Sequence, residues 1–198
     1  MKASARIRVG CCGFPMAQPA YHREFPLVEV QQTFYQPPQS RALQRWREQA
    51  PPEFQFTIKA WQLITHTPAS PTYRRLRKPV PADKHSHYGA FRPTPEVAEA
   101  WQVTLQAAQE LSASIIVFQC PAAFTPESSH VRHLRRFFGQ ARADAGHIRL
   151  AWEPRGAWPV GTFVALCEEF DLIPVMDPFT RAPIAELPRY FRLHCVTG

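Results

Sequence analysis

Glu153 and Arg155, in Trp152-Glu153-Pro154-Arg155, stand where an apolar run over 148–152 gives way to a turn. A carboxylate and a guanidinium at the carboxyl end of a strand are costly to bury for packing alone. In α/β proteins that end is where ligands bind. The same grammar recurs: an apolar stretch closes on a polar residue, a loop follows, then a helix. It places Lys59, Gln119, Asp177, Arg192 and His194 at or near strand ends, with Gln31 and Thr33 on the polar face of a second strand. Tyr35 and His66 fall in the flanking loops, Glu29 lies lower on the second strand, and Cys12 is a further candidate from the first.

Three chemistries suit this set. Lys59, Arg155 and Arg192 could hold a phosphate or carboxylate, for which forked guanidinium donors are well shaped. Glu153, Asp177 and His194 would then move protons, tuned by the adjacent cations. A divalent metal on Glu29, Glu153, Asp177 and His194 is the second option, opposed by three nearby cations and by the lack of a ligand-spacing signature. A Schiff base on Lys59 is the third; it requires a depressed pKa, which a sequence does not show. Against all three stands an ion-pair network that only plugs the mouth.

The elements that position these residues follow from periodicity. Phe54, Phe56 and Ile58 alternate with Gln55, Thr57 and Lys59, and Val28 and Val30 alternate with Glu29, Gln31 and Thr33, so strands are expected over 54–60 and 27–35. Further strands are expected over 7–14, 115–118, 148–152, 172–176 and 190–195. Thr94-Pro95-Glu96 is a helix start, with Val97, Trp101, Leu105, Ala108 and Leu111 on one stripe, and Thr125-Pro126-Glu127 repeats the cap signal. Alternating strands and helices imply a parallel sheet. An open, doubly wound sheet would bury its central strands on both faces. The polar face of the second and third strands instead fits a barrel lumen with a polar upper layer. The expectation is one α/β domain over 1–198, a (β/α) TIM-barrel-like fold of seven strands that lacks its last unit. Residues 68–93 form a long basic, proline-rich loop, with Arg74-Arg75-Leu76-Arg77-Lys78 and with His85 and His87 exposed.

The 198 residues, 45% hydrophobic and 20% charged, suffice for one globular core. No apolar run is long enough to span a bilayer, and no apolar signal core follows Met1, so no membrane and a cytoplasmic location are expected. The odd count of 5 cysteines, with no C-x-x-C pair, suits free thiols in a reducing compartment. The net charge of +7 reads first as a solvated basic surface. Nucleic acid is the alternative partner to a small anionic molecule, although no recognition-helix, zinc-finger or RNA-binding signature is present.

Several motifs together resemble one family. They are Gly10-Cys11-Cys12-Gly13-Phe14, Thr33-Phe34-Tyr35 with the strand before it, Phe56-Thr57-Ile58-Lys59-Ala60 with Thr65-His66, Phe118-Gln119-Cys120-Pro121, Trp152-Glu153-Pro154-Arg155 with Trp158, Asp177, and Phe191-Arg192-Leu193-His194. In this order they are similar to the YecE-like family, domain of unknown function seventy-two, over nearly the whole chain. The resemblance implies a TIM-barrel-like fold, adds Trp158 to the candidate binding residues, and implies no established reaction. It also implies a loop, a helix, an eighth strand and a final helix beyond Arg192-Leu193-His194. The expectation is therefore either a truncated frame or a barrel left open between its seventh and first strands, with an inactive barrel, or one completed by a partner chain, as a further alternative. The paired cysteines replace residues that are more often Thr and Ser in the family.

Overall fold

A computed structural model of the chain describes residues 7–180 and 190–193. Seven strands form one parallel sheet in sequence order: β1 (Gly10–Cys12), β2 (Leu27–Val30), β3 (Gln55–Lys59), β4 (Ile115–Cys120), β5 (Arg149–Pro154), β6 (Ile173–Met176) and β7 (Tyr190–Phe191). Between them run α1 (Gln18–Glu24), α2 (Gln32–Tyr35), α3 (Ser40–Gln49), α4 (Gln62–Thr65), α5 (Pro95–Glu110), α6 (Ser128–Asp144) and α7 (Val160–Glu169). No helix among the described residues is long and apolar enough to cross a membrane.

Strand periodicity divides the apolar side chains between two cores. Val28, Val30, Phe56, Ile58, Ile116, Phe118, Leu150 and Trp152 join the large core shared with the helices. Their alternates Val117, Ala151, Ile173 and Val175 form a second, smaller core with Ile115 and Tyr190. That second core is the lumen. Tyr190 on β7 reaches Thr57 on β3 and Glu29 on β2, so the sheet curls until its last strand faces its first ones across the interior. This is the incomplete (β/α) barrel expected of the sequence: among the described residues β1 and β7 are each paired on one side only.

Packing of the outer layer follows residue type. On α5, Val97, Ala100, Trp101, Leu105 and Ala108 are buried at helical spacing, and Trp101 lies 6.0 Å from the Phe118 ring. Its cap is the expected one: Thr94 Oγ1 accepts from Val97 N at 3.4 Å. Tyr21 of α1 pins the sheet edge, its hydroxyl accepting from Cys11 N at 2.6 Å and donating to Leu27 O at 2.9 Å. Gly10 permits this close pairing, because a Cβ there would lie 2.2 Å from Leu27 O.

Three local expectations are corrected. The second strand ends at Val30 rather than running to 35, and Gln32–Tyr35 is a helical turn. The Thr33 hydroxyl lies 2.9 Å from Val30 O and 2.7 Å from Lys59 O, bonds that hold the chain in the turn although its alternation continues. The cap signal at Thr125 does not open a helix; its hydroxyl goes to Glu127 Oε1 at 3.0 Å and α6 begins at Ser128. The long loop over 68–93 is not irregular throughout, for Pro71–Arg75 and Ala82–His87 form 3-10 turns. Tyr73 in the first of these is buried and donates to His66 O at 2.7 Å. In the second, His87 Nδ1 lies 2.9 Å from Glu96 Oε1.

Candidate functional site

The polar end of the lumen is built two residues beyond its apolar part. On β3, β4 and β5 the inward series runs Thr57 then Lys59, Val117 then Gln119, and Ala151 then Glu153. Val117 and Ala151 are fully buried and fill the interior; the residues two positions on carry chemistry. Gln119 and Glu153 are register partners. Cys12, Lys59, Glu153 and Arg192 come from β1, β3, β5 and the residue after β7, which is how barrel interiors stack, one layer from alternate strands.

Arg192 organises the cluster. Its Nη2 lies 3.1 Å from Glu29 Oε1, its Nη1 bonds Glu153 Oε2, and its side chain is 6% exposed. Burial opposes its charge, but Glu29 and Glu153 outweigh that and raise its pKa. Its Nε is buried without an acceptor among the described residues. Glu29 also accepts from the Gln31 side chain and, at 2.8 Å, from the Tyr190 hydroxyl. With that proton committed to Glu29, the Thr57 hydroxyl is the donor in its 3.0 Å contact with Tyr190. Burial, then the Glu29 charge, raises the Tyr190 pKa and keeps the phenol protonated. Cys12 Sγ stands 3.9 Å from Glu29 Oε1 and 3.7 Å from Arg192 Nη2; burial first, then Glu29, raises its pKa, so it is a thiol.

Lys59 is held differently. Its Nζ donates to Gln119 Oε1 at 2.7 Å and lies 3.6 Å over the Phe34 ring. Gln119 Nε2 in turn donates to Glu153 Oε2 at 2.9 Å, so the two ends of the Gln119 amide are distinguished by their partners. Among the described residues no carboxylate lies within ion-pair distance of Lys59. Burial, reinforced by the Arg192 charge, lowers its pKa from 10.5 to about 8.

Of the remaining candidates, some border this centre and others lie elsewhere. Arg155, 44% exposed on its side chain, sits at the rim with Nε 3.2 Å from Glu153 Oε1. His66 is buried, its Nδ1 2.8 Å from Thr65 Oγ1 and its ring 5.0 Å from Phe34. Burial, then Lys59 and Arg155, lowers its pKa to about 4, so it is a neutral imidazole at pH 7. Tyr35 lies against Phe34 and carries the Arg75 guanidinium 3.6 Å over its ring. Asp177 follows β6 and its Oδ1 accepts from Phe179 N at 3.0 Å, a turn-forming bond. Trp158 is placed in the outer core, against Trp152, with Nε1 donating to Phe124 O at 2.7 Å. His194 and Cys195 lie outside the described residues. Cys120 faces the outer core, where its Sγ accepts from Trp152 Nε1.

The structure therefore brings Lys59, Gln119, Glu153, Arg155, Arg192, Gln31 and Glu29 to one centre, and adds Tyr190 to it. Tyr190 carried no chemical signal in the sequence beyond its place at the start of a strand. Arg192 stands between Glu29 and Glu153, the two carboxylates best placed to share a divalent ion, and supplies their countercharge itself. Among the described residues no three His, Cys, Asp or Glu side chains gather as metal ligands.

Comparison with known proteins agrees with this architecture. The chain is 27% identical over 117 residues to the UPF0759 protein YunF of Bacillus subtilis (strain 168), an alignment covering 59% of this chain and 36% of that relative. It thus spans just over a third of that curated relative's length. Among solved structures, a DUF72 family protein from Enterococcus faecalis V583 superposes with a TM-score of 0.65 at 19% identity, covering 94% of this chain and 72% of the other. A second, from Thermotoga maritima MSB8, gives 0.58 at 17% identity, covering 94% and 74%. A xylose isomerase domain protein from Planctomyces limnophilus gives 0.52 at 15% identity, covering 85% and 63%, a likeness of fold. Residues 18–181 match the family described as "Protein of unknown function DUF72", the YecE-like family, and the chain belongs to it.

Proposed function

We propose that the chain is an enzyme acting on a small phosphate- or carboxylate-bearing substrate by acid/base chemistry at the carboxyl ends of its strands. One observation carries this reading: three cations and two carboxylates meet at the polar end of a lumen that is otherwise filled largely by Val117, Ala151, Ile173 and Val175. With Lys59 protonated, Lys59, Arg155 and Arg192 exceed Glu29 and Glu153 by one positive charge, which favours an anion. Packing alone asks for more residues like Val117 and Ala151, because desolvating ions costs several kcal/mol each. Lys59, with a pKa of about 8, exchanges a proton near neutral pH, as a general acid or base should. Arg155, at the rim, would receive the anion, and Glu153, tied to Gln119, Arg155 and Arg192, would position the cations.

The test is a thermal-shift screen of phosphorylated and carboxylated metabolites. A ligand at a hundred times its Kd stabilises by about 2.7 kcal/mol, a rise of roughly 5–10 °C for a domain of this size. That rise should vanish in a Glu153→Gln, Arg155→Ala variant. If no anion raises the melting temperature and the double variant only melts lower, the cluster is a structural plug.

A second reading, nucleic-acid binding, is favoured by one feature. Lys59 on Phe34, Phe34 against Tyr35, and Tyr35 under Arg75 form a ladder of cations and rings from the lumen to the basic loop. It requires an affinity for DNA or RNA that falls steeply with salt. Binding that is undetectable, or indifferent to salt, removes it.

A further inference from the structure

We infer that Lys59 is an imine-forming lysine, whose Nζ condenses with the carbonyl carbon of a small oxo acid. This deepens the anionic-substrate reading and rests on it, by naming the substrate class. Four observations lead here.

The first is residue choice. Of the 23 basic residues only Lys2, Lys59, Lys78 and Lys84 are lysines. A chain that uses arginine for nearly all its positive charge keeps a primary amine at the lumen. Arginine stays protonated and is no nucleophile, whereas lysine becomes one when it loses a proton. The second is partnering. Among the described residues Arg192 pairs with Glu29 and Glu153, and Lys59 meets a neutral amide oxygen at 2.7 Å and a ring face at 3.6 Å. A direct ion pair would hold the ammonium charged more firmly than this amide oxygen and ring face do. The lowered pKa of the amine agrees with that geometry.

The third is access. Lys59, His66, Glu153 and Gln119 are buried together at the polar end of the lumen, each with 5% to 8% of its surface exposed, so the imine requires the substrate to enter through the mouth that Arg155 borders. The fourth is charge. Arg155 at the rim and Arg192 within place positive charge on either side of Glu153. A carboxylate drawn to that field would carry its neighbouring carbonyl towards Nζ.

The step balances without a further reagent. The nitrogen lone pair, freed by loss of one ammonium proton, forms the C–N bond, and the carbonyl oxygen takes that proton. The resulting hydroxyl leaves as water with a second proton from nitrogen. One N–H remains on the iminium, where Gln119 Oε1 stands to accept it, and the single positive charge stays over the Phe34 ring.

Reductive trapping tests the inference. The full chain is incubated at pH 7 with pyruvate and sodium cyanoborohydride, which delivers hydride to an iminium carbon, and is read by intact mass and peptide mapping. The expected result is one reduced adduct per chain, at Lys59, formed at least tenfold faster than with acetone, which has the carbonyl but no carboxylate. Lys59→Met and Lys59→Arg variants should acquire none there. Modification of Lys78, Lys84 or the terminal amine at the same rate as Lys59 overturns the inference, and so does acetone reacting as fast as pyruvate. Mapping on the wild-type chain decides this even if a variant folds poorly. Lactate, which lacks the carbonyl, separates the two readings. If lactate or phosphate raises the melting temperature but pyruvate is not trapped, only the imine is refuted; if neither occurs, both readings fall.

Discussion

Lys59→Met should alter how the stability of this protein responds to pH, in a direction and by an amount set by one amine. Burial first, and Arg192 second, lower the Lys59 pKa from 10.5 to about 8. In the unfolded chain the amine returns to its ordinary value. Below about pH 8 both states hold the proton and the term is constant. Between about 8 and 10.5 only the unfolded state holds it, so unfolding takes up a proton and stability rises with pH. At about 1.4 kcal/mol per pH unit, the stability of the wild type relative to Lys59→Met should grow by about 3 kcal/mol from pH 7 to 10.5. The difference at pH 7 alone is not diagnostic. The methionine relieves a buried charge but leaves Gln119 Oε1 without its donor, a loss of about 1–3 kcal/mol. Urea unfolding of both proteins, followed by tryptophan fluorescence at several pH values from 7 to 10.5, isolates the amine, since every other titrating group is common to the two. Parallel stability curves would refute the depressed pKa and remove the proposed acid/base role of Lys59 near neutral pH.

Arg192→Met should destabilise the fold by about 3–5 kcal/mol, because Glu29 and Glu153 lose the guanidinium that bridges them. The triple change Glu29→Gln, Glu153→Gln, Arg192→Met should recover most of that in chemical denaturation; a loss under 1 kcal/mol in the single variant would mean that the bridge is not formed. His66 should show no titration by proton NMR between pH 8 and 5, since burial holds its pKa near 4. Its pKa is below the unfolded value of 6.5, so the stability it contributes is complete above pH 6.5. That stability is lost as pH falls towards 4, by about 3 kcal/mol in all, and a His66→Asn variant should lack the slope. A His66 midpoint near 6.5 would contradict its burial beside Lys59 and Arg155.

Much of this architecture is readable before any coordinates. Phe56 and Ile58, Ile116 and Phe118, and Leu150 and Trp152 alternate with lumen residues, and such alternation is a property of the extended chain itself. It assigns Lys59, Gln119 and Glu153 to one face and one end, because parallel strands present their carboxyl ends together. Where one long-range bond outweighs periodicity, the reading fails. The alternation of the second strand continues through Gln31 and Thr33, yet the chain turns at Gln31, where Thr33 bonds Lys59 O.

Partner choice within the cluster is the larger part that only the fold decides. Any of several acids could have met Arg192; it is Glu29 and Glu153 that do, from β2 and β5. Nothing near Tyr190 in the chain marks it as a donor to Glu29, and nothing near Arg75 marks it as a lid on Tyr35. Local sequence sets which face a side chain occupies, because backbone geometry repeats every two or every 3.6 residues. Which charges then pair depends on how far the sheet curls and how its strands are staggered. Those quantities exist only once residues more than a hundred positions apart have packed together, and among the described residues they leave Lys59 without a carboxylate at ion-pair distance.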